Sequence, residues 1–294
     1  MEFIKTHLPY VLAGISVGGQ YALISIGYTM VYGILRLINF AHGDIFMVAG
    51  FMMVYLSASL PLYLSIPLVI LGTVLLGFLV ERVAYRPLRQ APRMSIMISA
   101  IGVSYLLQNC AWYITGGLAK QYPAIPWISE SITVFSATTK IVTIITPILT
   151  FLLVIALVLL IKHTKFGMAM RAVSKDFETS QLMGVKINSV IGLTFIIGSF
   201  LAAIGSLLYF SNYTSVTPTS GSMPGLKAFV AAVFGGIGSI PGAMLGAFLI
   251  GICENIIKDL GWTTFSDAFT FALLIIILLV KPTGLFGEKL IDKV

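Results

Sequence analysis

The stretch LINFAHGD, Leu37–Asp44, sets an Asn, a His and an Asp within six residues of one another, between long apolar runs. Before it lies the apolar run Leu8–Tyr32, and Ile45–Leu60 follows. A polar interruption there reads as a break in a membrane helix, because backbone that leaves a helix inside a bilayer must find protein or water partners. Asn39 and His42 can each donate and accept hydrogen bonds. They either satisfy the broken backbone or line a path for a polar solute. Asp44 opens the next apolar run and is read first as a helix N-cap, a role that suits aspartate.

Composition supports the membrane reading. The 294 residues are 58% hydrophobic and 10% charged, with a mean hydropathy of +1.00. Soluble domains carry about 25% charged residues. The expected fold is an all-α polytopic membrane protein, one transmembrane domain over residues 1–294, with about eight spanning helices and a range of roughly 7–10. The opening MEFIKTHLPYVLAG runs on past the length of a signal-peptide core, with no small-residue cleavage site after it. It is read as the first membrane helix. Further runs cover Leu62–Val80, Ser95–Ile114, Ile141–Ile161, Val190–Phe210, Leu226–Phe234, Ala243–Ile257 and Ala268–Val280. Several are short for a full span, and Gly and Pro punctuate them, most densely at Gly235–Gly242. That pattern predicts broken or re-entrant helices. NFAHGDIFMVAGFM, from Asn39, and GSIPGAMLGAFLIG, Gly238–Gly251, echo one another as a polar Gly break before an apolar helix. Two related breaks fit a transporter built from repeats; Gly-rich membrane helices in general fit equally well.

The net charge of +7 belongs to topology, not to nucleic acid. Glu81–Arg93 holds four arginines, Lys162–Ser189 five basic residues and Lys281–Val294 three lysines. The positive-inside rule places these segments in the cytoplasm. Thr115–Lys140 and Tyr209–Leu226 are poor in charge and read as external, which puts the N-terminus outside and Arg36 inside. Cys110 and Cys253 sit in apolar runs and read as core residues. No His/Cys spacing suggests a metal, and no cofactor is expected.

Polar residues recur at helical spacing inside two runs. Gly14, Gly18, Tyr21, Ser25, Tyr28 and Tyr32 share one face of the first, with Gln20 beside them. Tyr105, Gln108, Asn109 and Trp112 share a face of the fourth. Each face either packs helices together through hydrogen bonds or lines a solute path. Candidate path residues are Gln20, Tyr21, Tyr28, Asn39, His42, Gln108 and Asn109. Gly242/Gly246 and Gly198/Ala202 have the spacing of packing contacts. Asp44, Glu254, Asp259 and Asp267 lie at or near the ends of runs, so no carboxylate ladder for a proton or sodium relay is visible. No paired Asp, Ser–His or HExxH arrangement suggests an intramembrane enzyme. No GxxxxGK[ST] phosphate loop occurs either.

Lys162–Ser189 is long for a connector. Its middle, Met168–Met183, predicts one short amphipathic helix, with Met170, Val173, Phe177 and Leu182 near one side and Gly184 as its C-terminal stop. Such a helix adsorbs to lipid or docks into a partner's groove. The mixed signs of Arg171, Lys175, Asp176 and Glu178 favour a protein partner.

With these residues in view, the chain resembles the permease subunit of bacterial branched-chain amino acid ABC importers, the LivH type, over nearly its whole length. The resemblance rests on GGQYALISIGYTMVYGILRLINFAHGD (Gly18–Asp44), ERVAYRPLR (Glu81–Arg89), TKFGMAMRAVSKDFETSQLMGV (Thr164–Val185), GLKAFVAAVFGGIGSIPGAMLGAFLIG (Gly225–Gly251) and KPTGLFG (Lys281–Gly287), in that order. It implies a non-enzymatic half-pore in the bacterial inner membrane that works with a second homologous permease, two cytoplasmic ATPase subunits and a periplasmic solute-binding protein. It implies that residues 162–189 are the ATPase-coupling segment, with Arg171, Asp176, Glu178, Leu182 and Gly184 as candidate coupling residues. The acidic-plus-alanine start of that motif in other ABC permeases is degenerate here, as KDFETSQLMG. The implied solutes are leucine, isoleucine and valine; urea, short amides and other amino acids are alternatives, and a passive channel is a further one.

Overall fold

The computed structural model describes residues 2–89, 91–134, 137–281 and 283–287. Pro282 of the KPTGLFG motif and the tail residues Lys289 and Lys293 lie outside the described residues. The chain is all-α, with helices α1 (Glu2–Leu35), α2 (His42–Ser59), α3 (Leu62–Val80), α4 (Arg93–Thr115), α5 (Pro126–Ser129), α6 (Ile141–His163), α7 (Lys165–Lys175), α8 (Phe177–Leu182), α9 (Ile187–Asn212), α10 (Ser222–Gly235), α11 (Ile240–Asp259) and α12 (Ser266–Val280). A π turn, Glu81–Tyr85, and a 3-10 turn, Arg86–Leu88, prolong α3. Among the described residues seven segments are long and apolar enough to cross a membrane: Thr6–Leu35, Leu62–Leu88, Arg93–Thr115, Ile141–His163, Ile187–Asn212, Ile240–Asp259 and Thr263–Val280. Two others are partial. α10 has 14 residues, roughly 21 Å at 1.5 Å per residue. α2 starts inside the bundle, where His42 packs against Gly27 of α1 and Gly198 of α9.

α1 is the axis of the fold. It and α9 bury most of their surface, whereas α4, α6 and α12 expose most of theirs. α1 and α11 run antiparallel at very close range. A Cβ on Gly18 would lie 2.7 Å from the Phe248 Cα, and one on Gly14 would lie 3.0 Å from the Ile252 Cα. The small-residue face of the first apolar run is thus a packing face against α11, and Gly242 and Gly246 pack in turn against α10. In lipid, such close approach supplies the dispersion contacts that hydrophobic burial supplies in water.

The two ends of the bundle differ. Arg36, Lys162, Arg171, the α10–α11 turn and Thr283–Gly287 surround an open cavity of about 990 Å³ at one end. Arg89 hydrogen-bonds Asn188 at the start of α9, which brings the Glu81–Arg89 segment to the same end. At the other end β1 (Lys120–Gln121) pairs antiparallel with β4 (Ser215–Val216), and His7 meets Asp259 at 2.5 Å. A hairpin of β2 (Ser131–Val134) and β3 (Ala137–Lys140) completes that connection. The segments assigned to the two sides by charge therefore gather at opposite ends.

The tail motif has a structural role. Leu285 and Phe286 donate their amides to the Phe234 and Gly235 carbonyls, at 2.9 Å each. These are terminal carbonyls of α10 with no partner inside the helix. The chain end thus caps a helix that stops within the bundle. Ser239 opens α11 by accepting the Gly242 amide at 3.2 Å.

Gly18→Leu is expected to drive α1 from α11, at a cost on the order of 1–3 kcal/mol or more for an overpacked contact. Gly33→Ala, with open space around it, is expected to be neutral. Thermal unfolding of the detergent-purified proteins followed by size-exclusion fluorescence distinguishes the two.

Candidate functional site

The helix break fashions a polar centre. α1 ends with Arg36 in the left-handed region, φ 53°. The chain turns back, and Asn39 accepts the Tyr85 hydroxyl at 2.8 Å on Oδ1 and the His42 amide at 3.1 Å on its carbonyl. Asn39 Nδ2 and His42 Nε2 are buried and have no hydrogen-bond partner. The His42 ring meets Tyr28 edge-on, 5.0 Å between centroids.

α2 then starts against the start of α10. A Cβ on Gly43 would lie 2.6 Å from the Gly221 carbonyl oxygen and 3.2 Å from the Gly225 Cα. Only glycine on both sides lets two helix N-termini approach so closely. Asp44 occupies the first turn of α2, and its carboxylate accepts Ser104 at 2.5 Å and Gln108 at 3.0 Å from α4. The Gln108 amide also reaches Ser222 at the head of α10, at 3.5 Å. Asp44 is therefore not the N-cap expected of it: Ala41 holds that position without a side-chain cap bond. Its carboxylate turns sideways to α4 because Ser104 and Gln108 offer donors one helical turn apart.

A second cluster lies toward the hairpin end. Lys227 of α10 is buried and contacts Glu254 at 2.9 Å and Asp267 at 2.6 Å. Glu254 also meets Lys258 at 2.6 Å and accepts the Tyr21 hydroxyl at 3.1 Å. Lys227 sits over the Tyr21 ring, 5.9 Å from its centroid. The cluster locks α10 to α1, α11 and α12. Removing one member of a buried ion group costs more than the group contributes, because it strands the others.

The break brings together Tyr28, Asn39 and His42, with Gln108 opposite on α4. Gln20 is elsewhere, buried against α9 with its Nε2 at 3.5 Å from the Leu208 carbonyl. Tyr21 belongs to the ion cluster. Asn109 is exposed and bonds its own helix, at the Tyr105 carbonyl, at 2.8 Å. Tyr105 and Trp112 share this outward side, so Gln108 alone of that stripe faces α2. Helical spacing grouped the four residues but gave no way to tell which edge of the stripe faces inward. Tyr85, Ser104 and Lys227 were not singled out from the sequence. Lys227 carried a usable signal, as a cation within the short apolar run Leu226–Phe234. Tyr85 and Ser104 carried none.

At the basic end, residues 162–189 form two helices where the sequence predicted one over Met168–Met183. Asp176 breaks them. It accepts the Thr179 amide at 3.1 Å and hydroxyl at 2.5 Å, so it caps α8 instead of continuing α7. The Thr179 hydroxyl and amide hold the Asp176 carboxyl below the usual aspartate range. The cap therefore works above that range and fades as pH falls through the lowered value. The break also splits the expected apolar side. Met170 and Val173 are buried, while Phe177, Leu182 and Met183 are exposed, Leu182 by 86%. Arg171 donates to the Ile161 carbonyl and so ties α7 to the end of α6. Glu178 is exposed, and Gly184 turns with φ 85°. Cys110 is exposed and Cys253 half-buried, so neither is the core residue expected from its apolar run; both are free thiols.

Residues 10–278 match the family model described as "Branched-chain amino acid transport system / permease component". The chain belongs to this family. The branched-chain amino acid permease protein LivH of Salmonella typhimurium is 40% identical, over 96% of each chain. BraD of Pseudomonas aeruginosa, a permease protein of the same description, is 40% identical over the full length of both. The ribose import permease RbsC of Haemophilus influenzae is 26% identical over 92% of this chain and 83% of its own. An inward-facing ABC transporter structure of the metal-chelate type aligns with a TM-score of 0.52 at 18% identity, over 95% of this chain and 88% of the other, and so shares the fold. The protein is accordingly a multi-pass, non-enzymatic membrane transport subunit.

Lys227→Met leaves Glu254 and Asp267 without their shared cation. The expected loss is on the order of 3–5 kcal/mol for breaking a buried ion group, seen as a lower melting temperature in detergent. Lys258→Met removes a partly exposed cation and is expected to cost less.

Proposed function

We propose that this chain is the membrane-spanning half of an ATP-driven importer for leucine, isoleucine and valine in the bacterial inner membrane. Its basic end faces the cytoplasm. It pairs with a second homologous permease, is driven by two cytoplasmic ATPase subunits, and takes its solute from a periplasmic binding protein. The solute class follows the names of the LivH and BraD relatives. The ribose permease among the weaker matches means that the fold by itself does not choose the solute.

The observation that carries the reading is the α7–α8 elbow. Its last turn presents Leu182 and Met183 almost fully exposed, next to the left-handed Gly184 and at the end of the bundle where the cations gather. A large exposed apolar pair beside charged side chains at that end suits docking into a protein groove. A passive channel has no use for it. Arg171 fixes the root of the elbow on α6, Asp176 sets the angle between its helices, and Glu178 offers charge beside the apolar knob.

Transport then proceeds by alternating access. Closure of the ATPases on ATP moves the elbows and opens the path outward. The binding protein releases solute into it, and hydrolysis reverses the movement. The energy comes from outside the permease, so the path needs only weak binding. Tyr28, Asn39, His42 and Gln108 at the helix break are its polar lining. Gln20, packed against α9, and Tyr21, bonded to Glu254, lie apart from that lining, and Asn109 is on the outward side of α4.

Gly184→Arg tests the reading. A non-glycine residue in the left-handed conformation costs roughly 1–2 kcal/mol and points a long cation out of the turn. The assembled complex is expected to keep hydrolysing ATP while leucine uptake into proteoliposomes falls about tenfold, as a shift of about 1.4 kcal/mol implies. Uptake at the wild-type rate counts against the elbow as the coupling element. Uptake by the permease alone without ATP makes it a channel.

A further inference from the structure

Among the described residues three carboxylates are buried: Asp44, Glu81 and Glu254. Glu81 is bonded to Arg89, and Glu254 to Lys227 and Lys258. Asp44 is different. Among the described residues no Lys, Arg or His lies within ion-pair distance of it. Its partners are the neutral donors Ser104 and Gln108. The adjoining starts of α2 and α10 lend it partial positive charge, but no full counter-charge. An ionisable group within a membrane protein and without an internal partner points to a partner that comes and goes.

The surroundings specify that partner. The lid over Asp44 is thin. Ser104 and Gln108 belong to α4, most of which is exposed, and Gln108 is only half-buried. Its second bond, to Ser222, is long at 3.5 Å. Gln108 and Ser104 are the two side chains that bond the carboxylate from this side. A few residues back along the same break, the Asn39 amide nitrogen and His42 Nε2 are buried with nothing to bond. The break therefore offers a negative group without a cation and, in Asn39 Nδ2, a buried donor without a partner; His42 Nε2 is packed onto Gly27 and is not counted with it. A solute with a positive end and a polar, anionic end complements both, whereas a sugar or a neutral amide leaves the Asp44 charge unmatched.

We infer that Asp44 is the acceptor for the primary ammonium group of a zwitterionic amino acid crossing the permease. This rests on the importer reading above and adds the group that recognises the solute within the membrane. Asp44 acts as a binding residue, while Ser104 and Gln108 position its carboxylate.

The test uses the complete importer in proteoliposomes and in detergent. Asp44→Asn keeps the size and one oxygen acceptor, for Gln108, and its amide can donate to the Ser104 hydroxyl, but it removes the charge. Leucine uptake is expected to fall about tenfold or more, as for the loss of one partner of a buried charge pair. Hydrolysis stimulated by loaded binding protein and the melting temperature are expected to stay near wild type. Asp44→Glu restores part of the uptake. In detergent, 3-methylbutylammonium chloride is expected to raise the melting temperature of the wild-type complex and not that of Asp44→Asn, while sodium 3-methylbutanoate has no such selective effect. Sodium chloride that reproduces the ammonium shift overturns the inference in favour of an inorganic cation. A wild-type complex that the ammonium does not shift overturns it even if Asp44→Asn is unstable. If Asp44→Asn imports like wild type, or if Ser104→Ala lowers stability and uptake just as Asp44→Asn does, Asp44 is only a tie between α2 and α4. Failure of the wild-type complex to import leucine on ATP defeats the importer reading itself and is a separate result.

Discussion

Every peptide group inside a bilayer must be hydrogen-bonded by the protein, and this chain leaves the helix there twice. At residues 37–41 the reversal is bonded by Asn39, whose side chain is held by Tyr85. At residues 236–239 the end of α10 is bonded by Leu285 and Phe286, far away in sequence. The two breaks are costly, and these hydrogen bonds offset part of that cost. What they achieve is placement. α2 and α10 both begin within the bundle, side by side, at Gly43, Gly221 and Gly225. A continuous helix could not aim its N-terminus at the interior.

The charges follow from that placement. α10 is short, and besides its apolar packing a buried Lys227 shared by Glu254 and Asp267 secures it laterally. Such a group adds little net stability compared with well-packed apolar residues. It does fix one register of α10 against α11 and α12, because any slip strands a charge. Where a helix must keep its position while its neighbours move, that selectivity matters more than the energy.

The architecture was readable in the sequence to the extent that hydropathy and Gly/Pro breaks report it. The spans, the short α10 and the break before α2 all show as composition. The grouping of basic segments at one end follows from the alternation of spans. Three things were not readable. The Met168–Met183 stretch carries helical periodicity throughout, and only Thr179, three residues after Asp176, marks the cap that divides it. The inward edge of α4 was hidden because Gln108 and Asn109 are adjacent and chemically alike, and only the packing on α2 separates them. The Asp44 environment was misread because a carboxylate at a helix start suits a cap in any sequence. Its true partners lie 60 and 64 residues further on. Local signals are visible in one sequence; pairings across the bundle are set by tertiary packing.

The packing also dictates how force applied at the elbow can travel. α7 is fixed to the end of α6 by the Arg171–Ile161 bond, and Gly167 packs onto the same residue. α6 in turn reaches α1 through the Thr150 hydroxyl, which donates to the Gly19 carbonyl at 3.2 Å. α1 lies against α11 with glycine-close contact, and α11 is joined to α10 by the Lys227–Glu254 pair and by Gly242 and Gly246. None of these joints is a hinge. Each has too little free space for one helix to slide on the next without loss of a hydrogen bond or a steric clash, and packed interiors do not deform continuously. A displacement of α7–α8 is therefore carried through α6 and α1 to α11 and α10 as one body. Outside that body α4 is one of the most exposed helices, and it reaches the polar centre through Ser104 and Gln108 on Asp44.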